Sequence, residues 1–269
     1  MTLYRATPRD GAAWITGAST GLGRQLALDL AREGYVVAVT ARDLDRLDTL
    51  AEEAANLSGR IVPYLCDVTD EQGMDRIVAR IEADLGPIVL AVFNAGNYYP
   101  SHGERLETYN FVSTFQVNLL GVMFGLVPVA DRMRDRGFGQ IAIVGSVTSY
   151  FGLPSAAAYG GSKAALNAIA QSLRYDFDKL NIRLQMVNPG FIATPLTDKN
   201  KFPMPALMPV EKAAQRMADG FRTGGFEITF PRRLTWVLKV MSYLPNELHY
   251  RLIRRITGWD QRQFGRKRR

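Results

Sequence analysis

The sequence predicts an α/β fold: a doubly wound parallel sheet in a single domain, with a basic helical C-terminal extension. Three observations carry this expectation. Short runs rich in Val, Ile and aromatic residues alternate with longer segments whose apolar residues recur every three or four positions. Several of the short runs are nearly all apolar, as strands are when helices cover both faces of a parallel sheet. The first run passes through a glycine-rich turn into a helix-period segment, the beginning of a right-handed βαβ unit.

In chain order, the candidate strands are Ala12–Thr16, Tyr35–Thr40, Ile61–Cys66, Ile88–Asn94, Gln140–Ser146, Arg183–Asn188 and Phe226–Phe230. Helical segments fill most of the gaps. Leu22, Leu26 and Leu30 recur every four residues beside Ala27 and Ala31, and Gly34 is placed to end that helix. Asp70 to Leu85 repeats the pattern through Ile77, Val78, Ile81 and Leu85, and Gly86-Pro87 stops it. Ser155 to Leu180 is Ala-rich and of high helix propensity. No internal repeat or low-complexity stretch interrupts the order.

With 269 residues, of which 47% are hydrophobic and 22% charged, the chain is long enough for a full core and has an ordinary globular composition. The one cysteine, Cys66, excludes an intramolecular disulfide and reads as a small core residue. Residues 1–11 hold Arg5, Arg9 and Asp10 without an apolar stretch, so no signal peptide is read there, and no run of 18 residues looks apolar enough to span a bilayer. A cytoplasmic protein is expected. The net charge of +7 is uneven: residues 232–269 hold 11 Lys/Arg against 2 Asp/Glu, leaving the rest of the chain slightly acidic. That distribution argues against a whole-surface nucleic-acid binder, and no nucleic-acid partner is expected.

The turn after the first strand reads Thr16-Gly17-Ala18-Ser19-Thr20-Gly21-Leu22-Gly23. Glycines allow a tight turn and close approach of backbone to a pyrophosphate, and the following helix N-terminus offers free N–H groups and partial positive charge. The spacing, G-x-x-x-G-x-G, resembles the nucleotide-binding turn of the short-chain dehydrogenase/reductase family, which has a Rossmann-type fold. The resemblance continues in order through Cys66-Asp67-Val68, Asn94-Ala95-Gly96, Asn118, Ser146, Tyr159-Gly-Gly-Ser-Lys163 and Pro189-Gly190 with Thr194, covering about residues 8–231. Residues 8–231 are expected to form the catalytic domain and residues 232–269 the extension.

Tyr159 and Lys163 are four apart in a predicted helix and share a face. A free phenol has a pKa of about 10, and a fixed ammonium nearby lowers it. Ser146 stands at a strand's C-terminal end, where open α/β sheets bind ligands. The resemblance implies the roles. Ser146 holds a substrate carbonyl oxygen, Tyr159 exchanges a proton with it, Lys163 tunes Tyr159 and binds the nicotinamide ribose, and Asn118 orders a water relaying protons to Lys163. It also implies nucleotide contacts from Gly17, Ser19, Thr20, Gly21, Leu22 and Gly23; from Asp67 and Val68; from Asn94, Ala95 and Gly96; from Tyr159 and Lys163; and from Pro189, Gly190, Ile192 and Thr194. The second strand ends Val39-Thr40-Ala41-Arg42. An acid there would favour NAD(H), whereas Arg42 can pair with a 2′-phosphate, so NADP(H) is favoured, with Ser19 a second contact and adjacent Asp43 the opposing feature.

Pro195 to Pro209 combines four prolines with Phe202, Met204, Leu207 and Met208, which suits either a lid over a nonpolar ligand or a surface loop. In the extension, Leu234, Val237, Leu238 and Met241 fit one helical face, widened by Trp236, Val240 and Tyr243; after Leu244-Pro245, Leu248, Leu252 and Ile256 resume among Arg251, Arg254 and Arg255. These faces suit packing on the body or substrate cleft, another subunit, or the surface of an anionic membrane, which would make the localisation peripheral. Arg266–Arg269 reads as a solvated tail. His102 and His249 are the only histidines, and with no cysteine cluster no metal site is expected. The expected reaction is reversible carbonyl/alcohol interconversion on a nonpolar lipid-, steroid- or acyl-like small molecule. A non-catalytic NADP(H) sensor or scaffold and an NAD(H)-dependent alcohol dehydrogenase are the alternatives, and family analogy implies a homo-oligomer.

Overall fold

The computed structural model describes residues 2–199 and 204–262. Seven parallel strands form one sheet in the order β3-β2-β1-β4-β5-β6-β7. They are β1 (Ala12–Thr16), β2 (Val36–Ala41), β3 (Arg60–Leu65), β4 (Ile88–Phe93), β5 (Gly139–Val144), β6 (Ile182–Pro189) and β7 (Glu227–Phe230). Every expected strand forms, β1 with the expected bounds and the others with ends displaced by no more than two residues, because ladder hydrogen bonds and not residue type set where a strand stops. Ser146 consequently lies two residues past β5, and Asn94 one residue past β4.

Helices cover both faces. On one side α1 (Gly21–Arg32), α2 (Leu44–Glu53) and α7 (Val210–Thr223) bury Leu26, Leu30, Leu47, Leu50 and Met217 against Ile15, Val37 and Val39. On the other, α3 (Glu71–Leu85), α5 (Gly121–Arg136) and α6 (Ala157–Lys179) bury Met74, Ile81, Leu126, Met133 and Leu166 against Trp14, Phe93 and Ile143. The alternating faces of β1, Ala13 and Ile15 on one side and Trp14 on the other, explain why the strand is fully buried.

Asp70 begins α3 as its N-cap, accepting a hydrogen bond from the Gly73 N–H at 2.9 Å. Asp70→Ala is expected to cost about 1 kcal/mol. Thermal unfolding should then show a fall of about 2–4 °C.

One expectation is corrected. α4 (Thr108–Phe115), a π-helical turn at Gln116–Leu120 and α5 run on as a continuous helix, Thr108–Arg136, with an 18-residue window of mean hydropathy 1.6. By length and composition this helix could cross a membrane. Polar residues such as Gln116 and Asn118 break the apolar run and hide it in the sequence. Core helices of folded domains share the same composition, and α5 turns Val122, Leu126, Val129 and Met133 into the core.

The extension forms α8 (Arg232–Met241) and α9 (Asn246–Ile256). Met241 and Ile253 are buried, whereas Trp236, Val237, Val240, Tyr243, Leu248 and Ile256 are exposed. Core packing therefore accounts for only part of its apolar surface. Phe202 and the tail Arg266–Arg269 lie outside the described residues.

Candidate active site

The sheet order reverses between β1 and β4, so the connections leaving these two strands diverge and open a crevice at their C-terminal ends. The turn after β1 and Asn94-Ala95-Gly96 after β4 both lie there. They are bound to each other. Thr16 Oγ1 accepts from the Asn94 and Ala95 N–H groups at 3.0 and 3.1 Å, and Asn94 Nδ2 donates to the Thr16 and Gly17 carbonyls, both at 3.1 Å. Gly17 has φ +69°, and a Cβ there would stand 2.6 Å from the Ala95 Cα, so only glycine fits the turn. Gly23 is under similar pressure from Asn94 Nδ2, at 2.4 Å from a built Cβ.

Thr20 is the N-cap of α1, in extended conformation and without a side-chain cap bond, so no side chain of its own closes the helix N-terminus. The tight glycine turn and this open helix end fit a dinucleotide pyrophosphate.

A cleft of about 900 Å³ starts beside Arg42, passes this helix end and finishes at Ser146, Tyr159 and Lys163. Gly17, Ser19, Thr20, Gly21 and Leu22 line it, as do Arg42, Asp67, Val68, Asn94, Ala95 and Gly96. Pro189, Gly190, Ile192 and Thr194 line the opposite wall. Gly23 and Asn118 are not on the cleft surface; Gly23 packs beneath it.

Arg42 is exposed, 4.0 Å from Asp67. The competing acid, Asp43, caps α2 by accepting from the Arg46 N–H at 3.1 Å, and its other oxygen lies 3.1 Å from Arg46 Nε. Arg46 also lines the cleft, a second cation that sequence reasoning missed although it stands four residues after Arg42. Asn97, Tyr99, Tyr109, Val117 and Leu196 were missed as well, since the loops carrying them converge only in the fold. The Pro195–Pro209 segment is pinned at its base by paired hydrogen bonds between Met208 and the Phe191–Ala193 stretch, at 2.9 Å each, and its Pro195, Leu196 and Thr197 reach the cleft.

α6 presents Tyr159 and Lys163 on one face. Lys163 is 3% exposed, and its ammonium donates to the Val144 carbonyl at 2.7 Å. Burial pushes it down to about 8. Burial likewise pushes the Tyr159 phenol up to about 12, against the pull of a hydrogen bond with Ser146 and with a small upward push from Tyr98, whose ring meets Tyr159 edge-on at 5.4 Å. The Lys163 ammonium lies 5.7 Å from the Tyr159 ring centre and is bonded to backbone.

The buried lysine has a measurable signature. Folded Lys163 releases its proton near pH 8, whereas the unfolded chain holds it to the ordinary 10.5. Between these values the unfolded state binds more protons, so this group adds stability as pH rises. Relative to Lys163→Met, the wild type should gain up to about 1.4 kcal/mol per pH unit from about pH 8 to 10. Urea unfolding of both proteins across that range checks this, and parallel curves would refute it.

Asn118 sits in the π-helical turn, fully buried. Its Oδ1 accepts from the Asn97 N–H at 2.8 Å, and its Nδ2 donates to the Asn97 carbonyl at 3.0 Å and Ser162 Oγ at 3.2 Å. The structure thus uses its amide to fix the loop after β4, and only the second lone pair of Oδ1 remains for a water. Cys66, with its thiol pushed up to about 11 by burial, is an inert wall residue. Among the described residues no group of three or more His, Cys, Asp or Glu converges on a metal-sized site, and His102 Nδ1 is bonded to Ser155 Oγ at 3.1 Å.

Comparison with known proteins identifies the family. Residues 11–203 match the family model for short chain dehydrogenases. An uncharacterised oxidoreductase of Myxococcus xanthus is 35% identical over 244 residues, 91% of this chain and 96% of that protein. The 3-oxoacyl-[acyl-carrier-protein] reductase of Thermotoga maritima is 33% identical over 185 residues, 69% of this chain and 75% of its own length. The alcohol dehydrogenase of Thermococcus sibiricus, solved with 5-hydroxy-NADP, superposes with a TM-score of 0.74 at 25% identity, covering 81% of this chain and 95% of that one. The chain belongs to the short-chain dehydrogenase/reductase family and is an oxidoreductase acting between CH–OH and C=O groups.

Proposed function

We propose that the protein is an NADP(H)-dependent reductase of nonpolar ketones, with residues 8–231 as its catalytic domain. The observation that carries this is the continuity of the cleft, from Arg42 and Arg46 at one end to Ser146, Tyr159 and Lys163 at the other. Relatives support the cofactor assignment, one of them having been solved with an NADP derivative. Tyr99, Tyr109, Val117 and Leu196 support a nonpolar substrate by lining the same cleft.

When bound, the nicotinamide supplies hydride to the carbonyl carbon, and the protein's part is orientation and protons. The Ser146 hydroxyl donates a hydrogen bond to the carbonyl oxygen and holds its carbon toward the nucleotide wall. Tyr159 gives that oxygen its proton as negative charge develops there. The resulting phenolate is stabilised by the neighbouring Lys163 ammonium, whose charge becomes useful at that moment. A phenol held near 12 favours reduction at neutral pH, and the reverse oxidation should speed up as pH rises.

The test is NADPH and NADH consumption against 2-decanone, 1-tetralone and ethyl 3-oxooctanoate, with dihydroxyacetone as polar control. Turnover of the apolar carbonyls with NADPH is expected. Tight nucleotide binding without turnover of any carbonyl would replace the proposal with a nucleotide sensor or scaffold, and NADH preference would replace it with an NAD(H)-dependent alcohol dehydrogenase.

Two partner assignments accompany this reading. Family analogy supports a homo-oligomer. Exposed Trp236, Val237, Val240 and Tyr243, flanked by Arg232 and Arg233, support peripheral contact of the extension with an anionic membrane surface. Co-sedimentation with phosphatidylserine vesicles, lost in Trp236→Ser/Val240→Ser, would bear out the membrane contact; equal recovery of both proteins in the supernatant would remove it.

A further inference from the structure

Ser146 leaves the sheet before its backbone can pair. The last ladder bond is from the Gly145 N–H to the Val187 carbonyl, 2.7 Å. The next N–H, that of Ser146, is buried and donates instead to Asn188 Oδ1 at 3.1 Å. Gly145 is glycine for this reason: a Cβ there would stand 2.2 Å from the same Oδ1.

An asparagine amide has two nearly equal ends, a donor and an acceptor, and a buried one needs something to choose between them. Here the chooser is Glu227. Its carboxylate only accepts, and it takes Asn188 Nδ2 at 2.9 Å, which forces Oδ1 toward Ser146. Glu227 is itself fixed from two sides. The Tyr150 hydroxyl donates to the same carboxylate oxygen at 2.6 Å, and the Lys239 ammonium pairs with the other oxygen. Burial alone would raise this carboxyl, but its bonds with Lys239, Tyr150 and Asn188 hold it below the usual range, so it is an acceptor throughout the neutral region. Tyr150 ends the turn that Ser146 begins, so Glu227 closes both ends of one loop.

We infer that Asn188, Glu227 and Lys239 are positioning residues for Ser146, joining the substrate end of the cleft to α8 of the C-terminal extension. The inference rests on the role proposed for Ser146 only in its consequence for turnover. The chain of bonds stands apart from it.

A reciprocal exchange tests it. Glu227→Gln removes the acceptor-only partner and lets the Asn188 amide turn over. Asn188→Asp sets two carboxylates against each other. The double variant, Asn188→Asp with Glu227→Gln, restores one defined arrangement: the new carboxylate on β6 accepts from the Ser146 N–H, and the new amide on β7 donates to that carboxylate. Two quantities are read: hydrogen exchange at the Ser146 amide, and NADPH-dependent turnover of 2-decanone. Glu227→Gln is expected to speed Ser146 exchange up to about tenfold, the factor for one lost buried hydrogen bond, and Asn188→Asp to speed it through repulsion from Glu227, which loses its Nδ2 donor. Each should also lower kcat with the NADPH Kd unchanged, and the double variant should recover both. Lys239→Met should show the same change in weaker form. Unchanged exchange in both single variants, faster exchange spread evenly over β1 and α1, or no recovery in the double variant would overturn the inference. Local faster exchange with unaltered turnover would leave the positioning chain standing and overturn the part proposed for Ser146 in catalysis.

Discussion

Tyr159→Phe is expected to lower the carbonyl-reduction kcat by about 10²- to 10⁴-fold, the range that general acid–base groups contribute. The substitution removes one oxygen and keeps the ring. The edge-on contact with Tyr98 is therefore retained, and the fold and NADPH affinity should be close to those of wild type. What is lost is the proton. With the phenol pushed up to about 12 by burial, Tyr159 keeps its proton at neutral pH and is hydrogen-bonded to Ser146. Water would have to replace it in a site walled by Tyr99, Tyr109 and Val117. Stopped-flow NADPH oxidation with the best ketone of the panel, beside a thermal melt and a nucleotide titration, separates chemistry from folding and binding. A loss below tenfold with folding intact would mean that another group supplies the proton. The pH dependence gives an independent check on the sign. Reduction needs the phenol and the Lys163 ammonium, so it should be level from about pH 6 to 7 and fall as that ammonium is lost near pH 8, whereas alcohol oxidation needs the phenolate and should rise with pH from about 6 to 7.

Arg42→Ala is expected to weaken NADPH binding about 10- to 100-fold, matching the loss of charge-assisted bonds worth about 1.5–3 kcal/mol. NADH binding should change by less than about threefold, because the 2′-hydroxyl offers no comparable charge. Arg42 is 77% exposed and only loosely opposed by Asp67 at 4.0 Å, so its guanidinium is available to a phosphate. Exposure also makes the interaction sensitive to screening, and the NADPH preference should shrink with added salt. Asp43, one residue on, is the natural objection. It is engaged as the N-cap of α2 and as the partner of Arg46, which lowers its capacity to bind a ribose. Fluorescence titrations of both nucleotides, with wild type and variant at two salt concentrations, give the answer. Equal loss for NADPH and NADH would show that Arg42 supports the cleft in general, and no loss for either would move phosphate recognition to Arg46 or Ser19.

Much of this protein was legible in its residues because the relevant forces are local. Strands buried on both faces must be apolar along their length, so β1, β4 and β5 declare themselves. A turn that must reach φ +69° under the Ala95 backbone must be glycine, so Gly17 marks the nucleotide end of the cleft. Tyr159 and Lys163 meet because four residues make about one helical turn. The order of motifs along the chain then identified the family and the reaction class.

Tertiary structure decided what depends on partners distant in sequence. Asn118 read as a water-ordering residue, and the fold adds that its amide holds Asn97 and Ser162 while one lone pair of Oδ1 is left for a water. The four-residue spacing of Tyr159 and Lys163 is local, but burial by the elements packed around α6 moves each toward its neutral form. No run of 18 residues looked apolar enough to cross a bilayer because polar residues interrupt Thr108–Arg136, while the continuity of that helix is a matter of hydrogen bonding through the π-helical turn. Asn188, Glu227 and Lys239 gave no sequence signal, since 39 and 12 residues separate the successive pairs and only the packing of β7 and α8 beside β6 brings them together. The sequence by itself determined the periodicities, the obligatory glycines and the identities of the reacting side chains. The tertiary structure decided how much water those side chains keep and which polar neighbours hold them, because desolvation and hydrogen-bond geometry are set by whatever elements the folded sheet stacks around the site.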